Sequence, residues 1–150
     1  MIFVAVGTQL PFDRMIRCVD KWAKKSGVDV VAQAGDSSYE PEAIESYKFI
    51  SPNEFLQFQI KANILVGHAG MGTILSAMEL GKPLIIMPRL VAYNEHRNDH
   101  QLATALKFKN TPGIYVAMND NELLDYLNDH NKLALPESKI SNQASQSLLN

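Results

Sequence analysis

The chain has 150 residues, 46% of them hydrophobic, which suits one domain around a single core and excludes two full domains. Its formal charge is -2 and its 14 Lys and Arg residues are scattered, so no basic stripe marks a nucleic-acid partner. The single cysteine, Cys18, excludes an internal disulfide and a multi-cysteine metal cluster, and reads as a buried, inert thiol in a reducing, cytoplasmic setting.

Taken in order, Ile2 to Val6 predicts a strand; the run is too short for a signal-peptide core, and no stretch approaches membrane-spanning length. Gly7 to Pro11 is a loop, and a helix follows from about Phe12 to Lys25. Val28 to Gln33 is the second strand, Ala34 to Glu42 a polar loop, and Tyr47 to Ile50 a short third strand. Ser51-Pro52-Asn53-Glu54 combines an N-cap, a first-turn proline and a capping-box glutamate, so a helix begins there and runs to about Lys61. Ile64, Leu65 and Val66 form a buried strand. A glycine loop, Gly67-His68-Ala69-Gly70-Met71-Gly72-Thr73, leads into a helix with Ile74, Leu75, Met78 and Leu80 at helical spacing, closed by Gly81. Leu84 to Met87 is the next strand. Arg89 to Asn98 is a long polar loop, Asp99 to Lys109 a helix with Leu102, Ala105 and Leu106 inward, and Ile114 to Ala117 a sixth strand. Asp120 caps a last helix carrying Leu123, Leu124 and Leu127, and residues 136–150 form a polar tail after a domain spanning 1–135.

Strands alternating with helices predict an α/β domain, a Rossmann-like parallel sheet flanked by helices, with ligands at the strands' C-terminal ends. Three loops fall there: Gly7 to Pro11, Gly67 to Thr73 and Arg89 to Asn98. The glycine loop opens a helix, where unpaired amides and the positive dipole end favour a phosphate; His68 and Thr73 add donors. The same glycines could instead be plain turn residues. Leu75 replaces the third glycine of the dinucleotide fingerprint, and Pro88-Arg89 stands where a ribose-binding acid would be, which disfavours a nicotinamide or flavin enzyme. With no Lys after the glycines, a Walker-type loop is excluded, and no bound cofactor is expected. His96 and His100 are four apart, but the HExxH arrangement of zinc hydrolases is lacking. The residues Asn94 to Gln101 read either as a solvated helix start or as a sugar-binding edge at which His100 and Gln101 meet hydroxyls.

These segments, together with Gly81 to Arg89, Asn98-Asp99-His100-Gln101 and the opening Phe3-Val4-Ala5-Val6-Gly7-Thr8 with Phe12-Asp13, resemble the glycosyltransferase family 28 C-terminal domain. The likeness is to its one-domain, PssE-like subfamily, related to the donor half of MurG-type GT-B enzymes, and covers about residues 1 to 130. It implies a UDP-sugar-dependent hexosyltransferase subunit in exopolysaccharide or capsule biosynthesis, recruited to the membrane by a partner chain that binds a lipid-linked saccharide acceptor. The alternative is a non-catalytic accessory subunit. Carried over residue by residue, the resemblance places Gly7, Thr8, His68, Gly70, Gly72 and Thr73 at the diphosphate. Ile50 and Ser51 fall near the base, and His100 and Gln101 near the sugar, with Glu95-His96 competing for that place. Ser76 stands where relatives carry a ribose-binding glutamate, and no residue pair reads as a catalytic base.

Overall fold

The computed structural model describes residues 1–136; the expected tail, apart from Pro136, lies outside the described residues. Six parallel strands form one sheet in the order β3-β2-β1-β4-β5-β6: β1 (Ile2–Ala5), β2 (Val30–Gln33), β3 (Glu45–Tyr47), β4 (Ile64–His68), β5 (Leu84–Met87) and β6 (Ile114–Val116). The helices between and after them are α1 (Asp13–Ser26), α2 (Pro52–Lys61), α3 (Met71–Leu80), α4 (His100–Lys107) and α5 (Asp120–Asn128). The Rossmann-like α/β architecture expected from the strand and helix spacing is the one observed.

Alternation along the strands sends side chains to two apolar layers. Ile2, Val4 and Val6 pack with Val30, Ile85 and Met87 against Phe12, Met15, Val19 and Trp22 of the α1 region and Leu123 and Leu127 of α5. Phe3, Ala5, Leu65, Leu84 and Ile86 face the other way, toward Phe55 and Phe58 of α2, Ile74 and Ala77 of α3 and Ala105 of α4. Cys18 is buried in the first layer, and its thiol is pushed up to about 12, chiefly by burial, so it stays protonated and unreactive as expected.

Local signals at several ends hold. Ser51 accepts a hydrogen bond from the Glu54 amide at 3.2 Å, and Gly81 closes α3 in the left-handed region at φ 66°. Elsewhere the structure differs. The third strand is Glu45–Tyr47 rather than Tyr47 to Ile50, because this edge strand pairs with Val31 to Gln33 alone and the chain turns off before Phe49, which is 77% exposed. The cap of α5 is Asn119, whose side chain accepts from the Glu122 amide at 2.9 Å, and Asp120 is the helix's first residue. Leu106 is 55% exposed; α4 turns Gln101 and Ala105 inward instead. Leu75 of α3 is likewise exposed. β4 extends through Gly67 and His68, so the connection to α3 is only Ala69 and Gly70.

The order reverses between β1 and β4, since the chain winds one way from β1 to β3 and the other way from β4 to β6. Register pairs Ala5 with Gly67 and His68 with Met87, which brings the three anticipated loops to one end of the sheet. This switch point is where an open α/β sheet leaves a crevice.

Candidate donor-binding site

A cleft of about 420 Å³ opens at that point. Phe3, Ala5 and Leu65 form its apolar floor; Gly7, Thr8, His68, Gly72, Thr73 and Gln101 of the predicted set line it, together with Ser76, Arg89 and His96. Gly70 lies beneath the His68 ring. A smaller pocket of about 170 Å³ adjoins it through Gly7 to Leu10 and is walled by Ile50, Phe49, Phe55 and Gly35.

The His68 ring is held at several points while one edge borders the cleft. The Gln101 amide meets its Nδ1 at 3.2 Å and the Thr73 hydroxyl meets its Nε2 at 3.3 Å. A Cβ added at Gly7 would come within 2.9 Å of Nε2, and one at Gly70 would collide with Cε1. Gly7 also has φ +89°, a conformation in which a side chain is strained. Both glycines are therefore required by the imidazole they admit. Gly72 differs: a Cβ there meets nothing within 4 Å, so it faces open cleft.

Among the described residues no side chain caps α3, so the amides of Met71, Gly72 and Thr73 are left as donors at its N-terminus, while the Ile74 amide already bonds Gly70 at 3.2 Å. Arg89, only 3% exposed, borders the same cleft. Its guanidinium donates to the carbonyls of Val6 and Leu10 and to that of Pro11 at 3.4 Å, and lies over the Phe12 ring at 5.1 Å. Burial lowers its pKa to about 10, with Glu95 acting the other way, so it stays charged at neutral pH. The cleft thus combines fixed amides, a ring donor and a buried positive charge, an arrangement suited to an anion.

The Gly7 loop is shaped from its other side by Gln33, whose Oε1 accepts from the amides of Val6 and Gly7 at 3.2 Å each and whose Nε2 donates to the Gly7 carbonyl at 3.1 Å. The Arg89 to Asn98 segment is pinned by Arg14 of α1. Its Nε and Nη2 bond the two Glu95 oxygens at 2.8 and 2.9 Å, and the Leu90 amide donates to Glu95 at 3.1 Å. Glu95 is thereby engaged in an ion pair, and its neighbour His96 lines the cleft. His100 is exposed in the first turn of α4 and does not line the cleft; Ser51 is the exposed cap of α2. His96 precedes α4, so the two histidines do not share a helical face.

Sequence reasoning missed Gln33, Arg14 and the role of Arg89. The signal for Arg89 was available: a charged residue directly follows a wholly apolar strand and Pro88, where only strong internal acceptors justify its burial.

His68 is pushed down to about 4, first by burial and then by the charges of Arg89 and His96. Its folded pKa lies below its ordinary value, so the fold favours the neutral ring. The stability this neutrality supports is complete above about pH 6.5 and lost as pH falls toward about 4. Between about pH 7.5 and about pH 5 the wild type should lose about 2 kcal/mol that His68→Gln does not lose. Urea midpoints of both proteins at the two pH values check this; equal losses would mean that the proton goes elsewhere.

The whole domain matches the glycosyltransferase family 28 C-terminal domain over residues 1–147. The chain belongs to that family. A human relative, UDP-N-acetylglucosamine transferase subunit ALG13, is 32% identical over 118 residues; the match covers 69% of this chain but 10% of that protein. The solution structure of ALG13 superposes with a TM-score of 0.61 at 17% identity, covering 90% of this chain and 87% of that one. The structure of UDP-glucose:anthocyanidin 3-O-glucosyltransferase in complex with UDP gives 0.62 at 16% identity over 85% of this chain and 30% of that one. Both likenesses fix the fold. Family 28 membership and the Rossmann-like half shared with larger glycosyltransferases agree with the resemblance carried by the glycine loop and the Asn98 to Gln101 segment.

Proposed function

We propose that this domain is the donor-binding subunit of a glycosyltransferase, taking a UDP-sugar and transferring the hexose to a lipid-linked acceptor in exopolysaccharide or capsule assembly. The observation that carries the reading is the convergence of the α3 amides, the His68 ring and the buried Arg89 charge at the β1/β4 switch point, which suits a diphosphate. On this reading the diphosphate lies between Gly7-Thr8 and Gly70 to Thr73, and the base enters the smaller pocket at Ile50, near the Ser51 turn. The hexose faces His96, with Glu95 behind it, Gln101 behind the His68 ring and His100 on the outer rim. Ser76 offers a hydroxyl to the ribose.

Catalysis here rests on neutralising the leaving diphosphate and positioning the sugar. The acceptor side, with its base, belongs to a second, membrane-associated chain. The word subunit in the human relative's name supports that division. Among the described residues no helix is long and apolar enough to cross a membrane, so a partner is the proposed route to a lipid-linked acceptor.

The test compares UDP, UMP and uridine by thermal shift and calorimetry, then adds a candidate partner and measures transfer from a panel of UDP-sugars. UDP at a hundred times its Kd should stabilise the domain by ~2.7 kcal/mol, with uridine far weaker. Equal effects of UDP and uridine would remove the diphosphate from the site.

A further inference from the structure

Gln101 carries hydrogen bonds that hydroxyl recognition does not require. The residue is 9% exposed at the start of α4, and its side chain bridges the ends of two strands. The Arg89 backbone N–H can only donate, so the Gln101 atom facing it at 3.0 Å is the acceptor Oε1. This orients the amide, and Nε2 is what faces His68 Nδ1 at 3.2 Å. An amide nitrogen can only donate, so Nδ1 must present its lone pair. The ring proton is then on Nε2, the nitrogen that Thr73 meets at 3.3 Å beside the cleft.

We propose that Gln101 is a positioning residue that holds His68 in the neutral, Nε2-protonated tautomer, so that the cleft presents an N–H to a phosphate oxygen instead of a lone pair. The inference deepens the donor reading above. The chain of constraint starts at a backbone amide and passes through one side chain into the ring. It disfavours two competing states at once: an Nδ1–H tautomer and an imidazolium would each set an N–H against the Gln101 N–H. The arrangement exists before any ligand arrives, so the donor is oriented in advance and binding pays no reorganisation of the ring. A sugar-reading role for Gln101 would affect only ligands that carry the sugar. A lock on His68 acts on the diphosphate, and so affects UDP itself.

The experiment uses the full chain with ¹⁵N-labelled histidine, the His68 signals being assigned by their loss in His68→Gln. At about pH 7.5 without ligand, the wild type should show a protonated Nε2 and an unprotonated Nδ1. Gln101→Glu, which replaces the donor with an acceptor, should move a proton onto Nδ1, and Gln101→Leu should give a mixture of tautomers. In calorimetry Gln101→Leu should weaken UDP about tenfold, and a UDP-sugar by the same factor. A wild-type ring protonated at Nδ1, or a pattern unchanged in Gln101→Glu, overturns the lock; so does an effect confined to the UDP-sugar. If wild type does not bind UDP, the donor reading fails while the tautomer measurement still decides the lock on its own.

Discussion

Replacing Arg89 with methionine should cost the domain on the order of 3 to 5 kcal/mol, measured as the loss in urea-unfolding free energy. Two effects oppose each other. Removing a buried charge relieves its desolvation, and exchanging a complete buried ion pair for apolar residues is often neutral. Among the described residues Arg89 has no such partner to remove with it. Its acceptors are the backbone carbonyls of Val6, Leu10 and Pro11, which stay in place when the guanidinium goes. Each orphaned acceptor costs about 1 to 3 kcal/mol, so the unsatisfied carbonyls outweigh the relief. Arg89→Lys should recover only part of the loss, because a single ammonium does not reproduce the planar fork. A loss below about 1 kcal/mol for the methionine variant would mean that the Gly7 to Pro11 loop is held by Gln33 alone.

Gly70→Ala should lower UDP affinity about 100-fold while leaving a folded domain. Gly70 has φ −101° and ψ 144°, an extended conformation open to any residue, so the effect does not come from backbone strain. It comes from the imidazole, whose Cε1 occupies the space of the added methyl. The ring has little room to yield, because Gly7 lies against one edge and Gln101 holds another. Overpacking of this kind costs roughly 1 to 3 kcal/mol, released here by rotating His68 out of position. Gly72→Ala reports on the helix in the unliganded protein, not on the ring. Its Cβ enters open space in the first turn of α3, so the unliganded protein should gain up to ~1 kcal/mol from helix propensity. Calorimetric titration of both variants settles the point: if Gly70→Ala binds UDP like wild type, the ring is not a ligand contact.

The strand, glycine turn, helix and strand from Ile64 to Met87 were readable because every signal there is local: an apolar run, small residues, helical spacing and a left-handed glycine. The same holds for the Ser51 cap. What escaped reading depends on partners distant in sequence. Tyr47-Lys48-Phe49-Ile50 has strand-like residues, but an edge strand's limits are set by its single neighbour, and along this segment β2 is met only by Glu45 to Tyr47. Leu106 looks like a core residue by spacing, yet the inward face of α4 is fixed by the polar bridge that Gln101 makes to Arg89 and His68, and that bridge turns Leu106 outward. Glutamine chemistry alone suggested hydroxyls. Only the fold, which sets residue 101 against residues 68 and 89, reveals the ring as its partner. Glu95 illustrates the same point, since its partner Arg14 is 81 positions away.

The Arg14–Glu95 pair also divides the labour within the cleft wall. It anchors the loop between β5 and α4 at one place, and the Asp99 carboxylate anchors it at another by accepting from the Val91 amide at 2.9 Å. Between those moorings Asn94 takes the left-handed conformation at φ 56°, and Tyr93 and Arg97 project outward. Residues at the crest can therefore be exchanged without unseating His68, which takes its position from α4, Gly7 and Gly70. A family built on this scaffold can diversify at the crest while its anion cradle stays constant, as an antibody varies loops on an unchanging framework.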